Sequence, residues 1–253
     1  MSVSIAQAQV FFLVLTRVMA LIIHVPVLGG QSIPNQVRIG LGLVLSAIMI
    51  PWQILPPEAP AIDWMPFTVA IGREILIGTL AGFAAILTFS ALQIAGEMMS
   101  TASGFSASRV LNPAMGESGS AFDQLFIMTA MLLFLVLNGH HIFLSALQQT
   151  FVVAPVNTPF PTLDAEYLAR LTAQLIVSGI QLSLPVVGAL LLTDITLALL
   201  ARVAPQVQVF FLGLPLKVGV GVIALGLTFS LTFPMVGDLF RGIGPKMLQL
   251  IGR

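Results

Sequence analysis

The sequence predicts an all-α membrane protein, built from about six long, kinked helices arranged as hairpins. Of its 253 residues, 10 are Lys or Arg and 10 are Asp or Glu, so 8 % are charged, against roughly 25 % in a soluble domain. Apolar residues make up 57 % of the chain, and the mean hydropathy is +1.04. So few charges cannot cover a water-soluble domain of this size. The apolar runs are continuous rather than alternating, which favours helices over a membrane β-barrel.

The same composition excludes several classes of function. Low charge argues against a soluble enzyme and a disordered protein, and a net charge of zero offers no basic face to nucleic acid. The chain has no Cys, which rules out disulfides, thiolate catalysis and iron–sulfur clusters. It carries no Ser–His–carboxylate grouping, nucleotide-binding loop or HExxH motif. We therefore expect no enzyme activity and no cofactor.

Uncharged stretches of about 20 residues, the length that crosses a bilayer, locate the helices. The chain starts without a positively charged segment, so we expect a retained first helix rather than a cleaved signal peptide. In order, we expect helices over residues 5–29, 36–55, 66–103, 122–150, 165–203 and 207–240. Four prolines inside these runs remove backbone donors and should kink or end a helix: Pro26, Pro51, Pro185 and Pro234. Gly78 and Gly82 form a GxxxG pair, which predicts close packing against another helix.

Charged side chains also stand in or beside the apolar stretches, where an ionisable group is costly unless it is paired or functional. We expect these charges to pair between helices or between subunits and so to fix assembly, with a proton or ion relay as the alternative. Arg17 and His24, seven residues apart, share one helix face, as Asp194 and Arg202 nearly do. The assembly charges are Arg17, Arg73, Glu74, Glu97, Asp194, Arg202 and Lys217.

His140 and His141 are adjacent and follow Asn138 and Gly139. Two imidazoles invite a metal assignment. However, no carboxylate stands at ligand spacing, and neighbouring side chains on a helix point in different directions. We therefore expect no metal site.

The stretch 98–122 differs from the apolar helices on either side of it. It holds six Ser, three Gly and three Met. Gly and Ser favour mobility, and Met makes soft, adaptable contacts. Ordinary connections have about four to six residues, so a longer one of this composition predicts a functional loop.

Short motifs in register along the chain resemble the FliR family of flagellar export-gate membrane proteins. The N-terminal motif comprises Arg17, Pro26, Ile33, Pro34 and the run 38–42 (Arg-Ile-Gly-Leu-Gly). Others follow at Glu74 with Gly78 and Gly82, at 95–97 (Ala-Gly-Glu), at Asn112-Pro113, at 137–140 (Leu-Asn-Gly-His) and at Pro185. The most distinctive block is 202–217, which begins Arg-Val-Ala-Pro-Gln-Val-Gln-Val-Phe and ends Gly-Leu-Pro-Leu-Lys.

The resemblance implies a core subunit of the flagellar type III export gate, a multi-pass protein of the bacterial inner membrane within the flagellar basal body. Its N-terminal part, residues 1–164, would resemble a P-type gate subunit, and residues 165–253 a Q-type helical hairpin. The implied partners are FliP-like and FliQ-like subunits, a FlhB-like switch protein, unfolded export substrates and membrane lipid, with no nucleic acid.

The family's central plug loop matches residues 104–122 by position. The resemblance therefore implies a channel plug formed by Gly104, Phe105, Ser106, Ser108, Arg109, Val110, Leu111, Asn112, Pro113, Met115, Gly116 and Gly119. One residue departs from the pattern: Asp194 stands where an uncharged polar residue is expected, so no role is carried over to it.

Two other functions remain open at this stage. An injectisome export-gate subunit, serving virulence secretion, would share the same family motifs. A secondary transporter or ion channel subunit would also explain broken helices and buried charges, although no second half of the chain repeats the first as inverted repeats require.

Overall fold

The structure, a computed structural model, describes residues 4–29, 33–50, 62–104, 121–156, 160 and 164–252. Within these residues the secondary structure is helical, without a strand. Numbered in chain order, the helices are α1 (Ile5–His24), α2 (Pro26–Gly29), α3 (Asn35–Met49), α4 (Trp64–Ser103), α5 (Ala121–Val136), α6 (Gly139–Val153), α7 (Ala165–Val203), α8 (Val209–Arg241) and α9 (Ile243–Ile251). The predicted fold class, an all-α membrane protein, is confirmed.

Among the described residues, four helical stretches are long and apolar enough to cross a membrane: Ile5–His24, Trp64–Ser103, Ala165–Val203 and Phe211–Ile251. The broken pair Gln124–Val136 and Gly139–Val153 makes a fifth if it counts as one span. With 40 residues, α4 is about 60 Å long at 1.5 Å per residue, twice the ~30 Å hydrocarbon thickness. The expectation of long helices is confirmed.

The helix ends follow local chemistry. Ser4 begins α1 with a capping box, because its hydroxyl accepts from the Gln7 amide while the Gln7 side chain accepts from the Ser4 amide. The first helix ends at His24, two residues before Pro26, as the proline predicts. Pro185 and Pro234, by contrast, lie inside the continuous helices α7 and α8, so neither ends a helix. Pro51 lies outside the described residues.

The predicted helix over 122–150 is divided into α5 and α6. Asn138 between them has φ 55°, the left-handed conformation that interrupts a right-handed helix. Gly139 then starts α6. The Asn-Gly dipeptide is the local signal for this break. A short helix that was not predicted, α9, follows the predicted C-terminal helix.

One compact unit comprises Met1–Phe89, Asn138–Leu171 and Phe240–Arg253. Within it α3 packs along α1, and α9 packs along α6. The Gln9 side chain donates to the Ile62 carbonyl (2.7 Å) and accepts from the Ile62 amide (2.8 Å), which ties α1 to the residues before α4. The core of this compact unit contains Leu13, Val14, Val18, Leu21, Ile77, Phe143, Leu147 and Met247.

The other compact unit comprises Ser90–Leu137 and Thr172–Leu239. At Gly179 of α7 an added Cβ would stand 2.7 Å from the Ala91 carbonyl oxygen of α4, so the two helices meet backbone to backbone. An apolar cavity of about 210 Å³ lies between α5 and α8. The lining hydroxyls of Thr129 and Thr232 donate to carbonyls of their own helices.

Candidate functional site

A buried ion pair joins α1 to α4. The Nε atom of Arg17 lies 2.5 Å from Oε2 of Glu74, and both side chains are 0 % exposed. Two opposite charges at this distance offset part of the cost of removing each from water. Arg17 Nη2 and Glu74 Oε1 have no hydrogen-bond partner among the described residues.

The same guanidinium reaches the carboxyl end of α6. Arg17 Nη1 donates to the carbonyls of Thr150 (3.1 Å) and Ala154 (2.7 Å). The Arg17 Cζ atom lies 4.3 Å from the centroid of the Phe151 ring, a cation–π distance. The last carbonyls of a helix carry partial negative charge, so they attract a cation. The buried side chain of Arg17 therefore connects α1 to both α4 and α6.

Small residues on α4 make this close approach possible. A Cβ added to Gly78 would stand 2.6 Å from the Arg17 carbonyl oxygen, and one added to Gly82 would stand 2.7 Å from the His24 Cβ. The predicted packing role of the GxxxG pair is confirmed. His24 Nδ1 donates to the Ala20 carbonyl of its own helix (2.7 Å). The ion-pair partner of Arg17 is Glu74.

Two further predicted charges lie on α4. Arg73 is buried, with its Cζ atom 6.0 Å from the Phe160 ring centroid. Glu97 is exposed. Of the three predicted charges on α4, the adjacent residues Arg73 and Glu74 are therefore buried, whereas Glu97 is exposed.

In the second compact unit, an ion pair connects α7 and α8. Lys217 Nζ lies 2.6 Å from Asp194 Oδ1, with side-chain exposures of 20 % and 47 %. Arg202 is exposed at the end of α7, eight residues beyond Asp194. The sequence suggested a near-common face for Asp194 and Arg202, but the observed partner of Asp194 is Lys217 because the hairpin brings α8 back alongside α7.

Of the predicted plug residues, only Gly104 is among the described ones; 105–120 lie outside them. Gly104 has φ +84° and its amide donates to the Thr101 carbonyl (3.2 Å), so it ends α4 in the left-handed conformation that glycine favours. Of the stretch 98–122 that was predicted as a functional loop, residues 98–103 belong to α4, and Ala121 and Phe122 begin α5.

The histidine pair departs from expectation in its geometry. The ring centroids of His140 and His141 are 4.3 Å apart, so the expectation that adjacent side chains diverge is wrong here. Their Cβ directions differ, but rotation about the side-chain bonds tilts the two rings toward each other at 56°. No group of three or more potential metal ligands forms among the described residues.

Sequence reasoning missed the backbone partners of Arg17. Carbonyl groups at a helix end carry no side-chain signature. The available signal is Pro155, which follows Ala154 and marks the end of α6.

These features occur in a chain whose sequence matches the family "Bacterial export proteins, family 1" over residues 8–243. The chain belongs to this family. It is 32 % identical over 234 residues to the flagellar biosynthetic protein FliR of Bacillus subtilis (strain 168), covering 91 % of this chain and 90 % of that protein. It is 31 % identical over 244 residues to FliR of Escherichia coli (strain K12), covering 96 % and 93 %.

A relative outside flagella matches as well. The Yop proteins translocation protein T of Yersinia pestis is 30 % identical over 220 residues, covering 85 % of this chain and 84 % of that protein. Membership of the bacterial export family confirms the predicted resemblance. It also favours the export interpretation over a secondary transporter or an ion channel subunit.

Proposed function

We propose that this chain is a core subunit of the flagellar type III protein export gate. Together with FliP-like and FliQ-like subunits it forms the channel through which unfolded flagellar proteins are secreted during flagellum assembly. The main support is similarity to FliR proteins along nearly the whole chain, 96 % of it for the E. coli relative. The apolar helices and their exposed apolar faces suit a subunit embedded in lipid and among other subunits.

The proposed location is the bacterial inner membrane, within the flagellar basal body, with a FlhB-like switch protein as a further partner. Residues 1–164 correspond in this proposal to a P-type subunit and 165–253 to a Q-type hairpin. Exposed side chains at the turn between α7 and α8 support a role in assembly. Val203 is 82 % exposed and Phe211 70 % exposed, next to the exposed cation Arg202.

Residues 104–122, which run from the end of α4 into the first two residues of α5, are proposed as the plug that seals the channel at rest. A channel wide enough for an unfolded chain would leak ions, so the seal has to be displaceable at low cost. Burial of side chains such as Phe105, Val110 and Leu111 contributes roughly 1.5–3 kcal/mol each, which holds a loop reversibly. Shortening the loop between Ser106 and Gly119 should make cells leaky to small ions while the complex still assembles. Tight membranes in that variant would contradict the plug.

Injectisome secretion is the second candidate, because the Yersinia pestis relative is matched over 85 % of this chain. Deleting the gene from its own host distinguishes the two. Loss of flagella and of secreted flagellar proteins, restored by the wild-type gene, is the result we expect. Loss of secreted virulence effectors with flagella retained would identify the injectisome function, and unchanged secretion of both would contradict the export proposal.

A further inference from the structure

The carboxyl end of α6 does not have the usual C-capping arrangement. The Ala154 amide donates to the Thr150 carbonyl (2.9 Å), but the next residue is Pro155, which has no amide hydrogen to donate. Ala154 itself has φ −128° and ψ 82°, so the helix does not end in a left-handed cap. Terminal carbonyls of α6 therefore need donors from elsewhere in the protein.

Arg17 donates from a neighbouring helix to the Ala154 carbonyl and, in addition, to the Thr150 carbonyl that also accepts from the Ala154 amide. Its Nη1 atom lies 3.1 Å from the Thr150 oxygen and 2.7 Å from the Ala154 oxygen. Glu74 binds the other side of the guanidinium through Nε at 2.5 Å. The carboxylate supplies the counter-charge and holds the guanidinium in place, because a buried guanidinium without a counter-charge is strongly unfavourable.

The helix that Arg17 closes is also the platform for the C-terminal helix α9. The buried face of α9 includes Ile243, Gly244 and Met247, and α9 packs along α6. A Cβ added to Gly244 would stand 3.5 Å from the Ala146 Cβ. Gly252, just after α9, lies against Val153 in the last turn of α6, where an added Cβ would be 2.7 Å from Val153 Cγ1. The turn held by Arg17 is thus the turn that the end of α9 contacts.

We propose that Arg17 and Glu74 act as a latch that fixes the carboxyl end of α6 and thereby keeps α9 docked on it. Arg17 is the positioning residue, and Glu74 acts through it. The inference rests on contacts within one compact unit and does not depend on the export function.

A disulfide reporter tests the latch, since the chain has no native Cys. Ala146→Cys with Gly244→Cys places two sulfur-bearing Cβ atoms at about the separation found in disulfides. The reporter is introduced into the full chain, co-expressed with its partner subunits in native membranes, and oxidised. Cysteines left free are counted with a maleimide reagent. The disulfide yield is expressed per molecule of chain present, so that loss of protein does not imitate loss of docking.

The cysteine reporter is introduced into three variants, which distinguish a latch from a buried ion pair that has no effect on the docking of α9. Arg17→Lys keeps the charge but replaces the planar fork with a single ammonium. Arg17→Leu with Glu74→Leu removes both charges of the pair together, so neither partner is left without its counter-charge. Arg170→Lys alters an exposed arginine, which pairs with Glu166 on α7, and is the matched control.

We expect the initial rate of disulfide formation to fall at least about fivefold in Arg17→Lys and in the double Leu variant, and to be unchanged in Arg170→Lys. A double Leu variant that forms the disulfide at the wild-type rate would overturn the proposal, because α6 would then hold α9 without donors from Arg17. The same rate in Arg17→Lys and wild type would overturn the assignment of the planar guanidinium as the positioning group.

Discussion

Gly78 of α4 lies against the backbone of Arg17 in α1, so closely that an added Cβ would stand 2.6 Å from the Arg17 carbonyl oxygen. Glu74 is one turn earlier on the same face of α4, which brings its carboxylate to the Arg17 side chain. The missing side chain at Gly78 lets α4 approach α1 closely, and this close approach brings the Glu74 carboxylate to Arg17.

Replacing Gly78 by valine should separate α1 from α4. The new side chain meets backbone, which cannot move aside, so we expect a loss of about 1–3 kcal/mol in stability. Gly72→Val is the matched control on the same helix, since an added Cβ there meets nothing within 4 Å. The melting temperature of the purified complex should fall for Gly78→Val and stay close to wild type for Gly72→Val. Equal falls for the two variants would contradict the packing role of Gly78.

Neutralising Glu74 should be costly. Glu74→Gln leaves the fully buried Arg17 without a counter-charge, and breaking a buried pair from one side typically costs about 3–5 kcal/mol. The exposed carboxylate of Glu166, which pairs with Arg170, provides the control: Glu166→Gln should change stability by less than about 1 kcal/mol. The measurement is thermal unfolding of the detergent-solubilised complex. A Glu74→Gln complex as stable as the control would contradict the ion pair.

The pair between α7 and α8 should tolerate exchange of its charges. Reversing either Asp194→Lys or Lys217→Asp places like charges together, and we expect a destabilisation of about 1 kcal/mol, since both groups are partly exposed. Combining the two reversals should recover most of the loss. The destabilisation is measured as the rate at which a protease cleaves the α7–α8 hairpin in membranes. Additive losses in the double variant would show that the two side chains do not interact.

Arg202 should matter for assembly rather than for folding of the chain. It is exposed at the end of α7, and we expect Arg202→Ala to reduce recovery of FliP-like and FliQ-like subunits in pull-downs severalfold. Arg170→Ala, another exposed arginine on the same helix, serves as the control. Normal assembly together with abolished secretion would instead assign Arg202 a role in transport.

Local features of the fold were predictable because they depend on short stretches of sequence. Hydropathy located the long helices, and the Pro26 position marked the end of α1. The break at Asn138 was missed, because the apolar pattern continues across it and only the Asn-Gly dipeptide signals the left-handed residue. Pro185 was predicted to kink or end a helix; it does not end one, and α7 runs through it over the predicted range 165–203.

Pairings of charges were less predictable. Arg17 and Glu74 are 57 residues apart in sequence, and helical periodicity relates residues only within one helix. It therefore suggested His24 as the residue that shares a face with Arg17. Lys217 and Asp194 were both expected among the assembly charges but not as partners, whereas the register of the hairpin places them side by side. The contacts of Arg17 with Thr150 and Ala154 involve backbone oxygens, which no residue type identifies.

The most direct test of the export-gate function is whether a secreted protein passes beside this chain. The Cys-free sequence allows a single Ser108→Cys in the proposed plug, with Ser145→Cys, an exposed position on α6, as the control. An export substrate fused to a tightly folded domain stalls in the channel and is probed with a thiol crosslinker in cells that assemble flagella. We predict a crosslink from Ser108→Cys that depends on the stalled substrate, and none from Ser145→Cys. If secretion remained normal and the stalled substrate crosslinked to neither position nor to cysteines placed singly at Ser106 and Gly119, the proposed passage of substrate beside this chain would be contradicted.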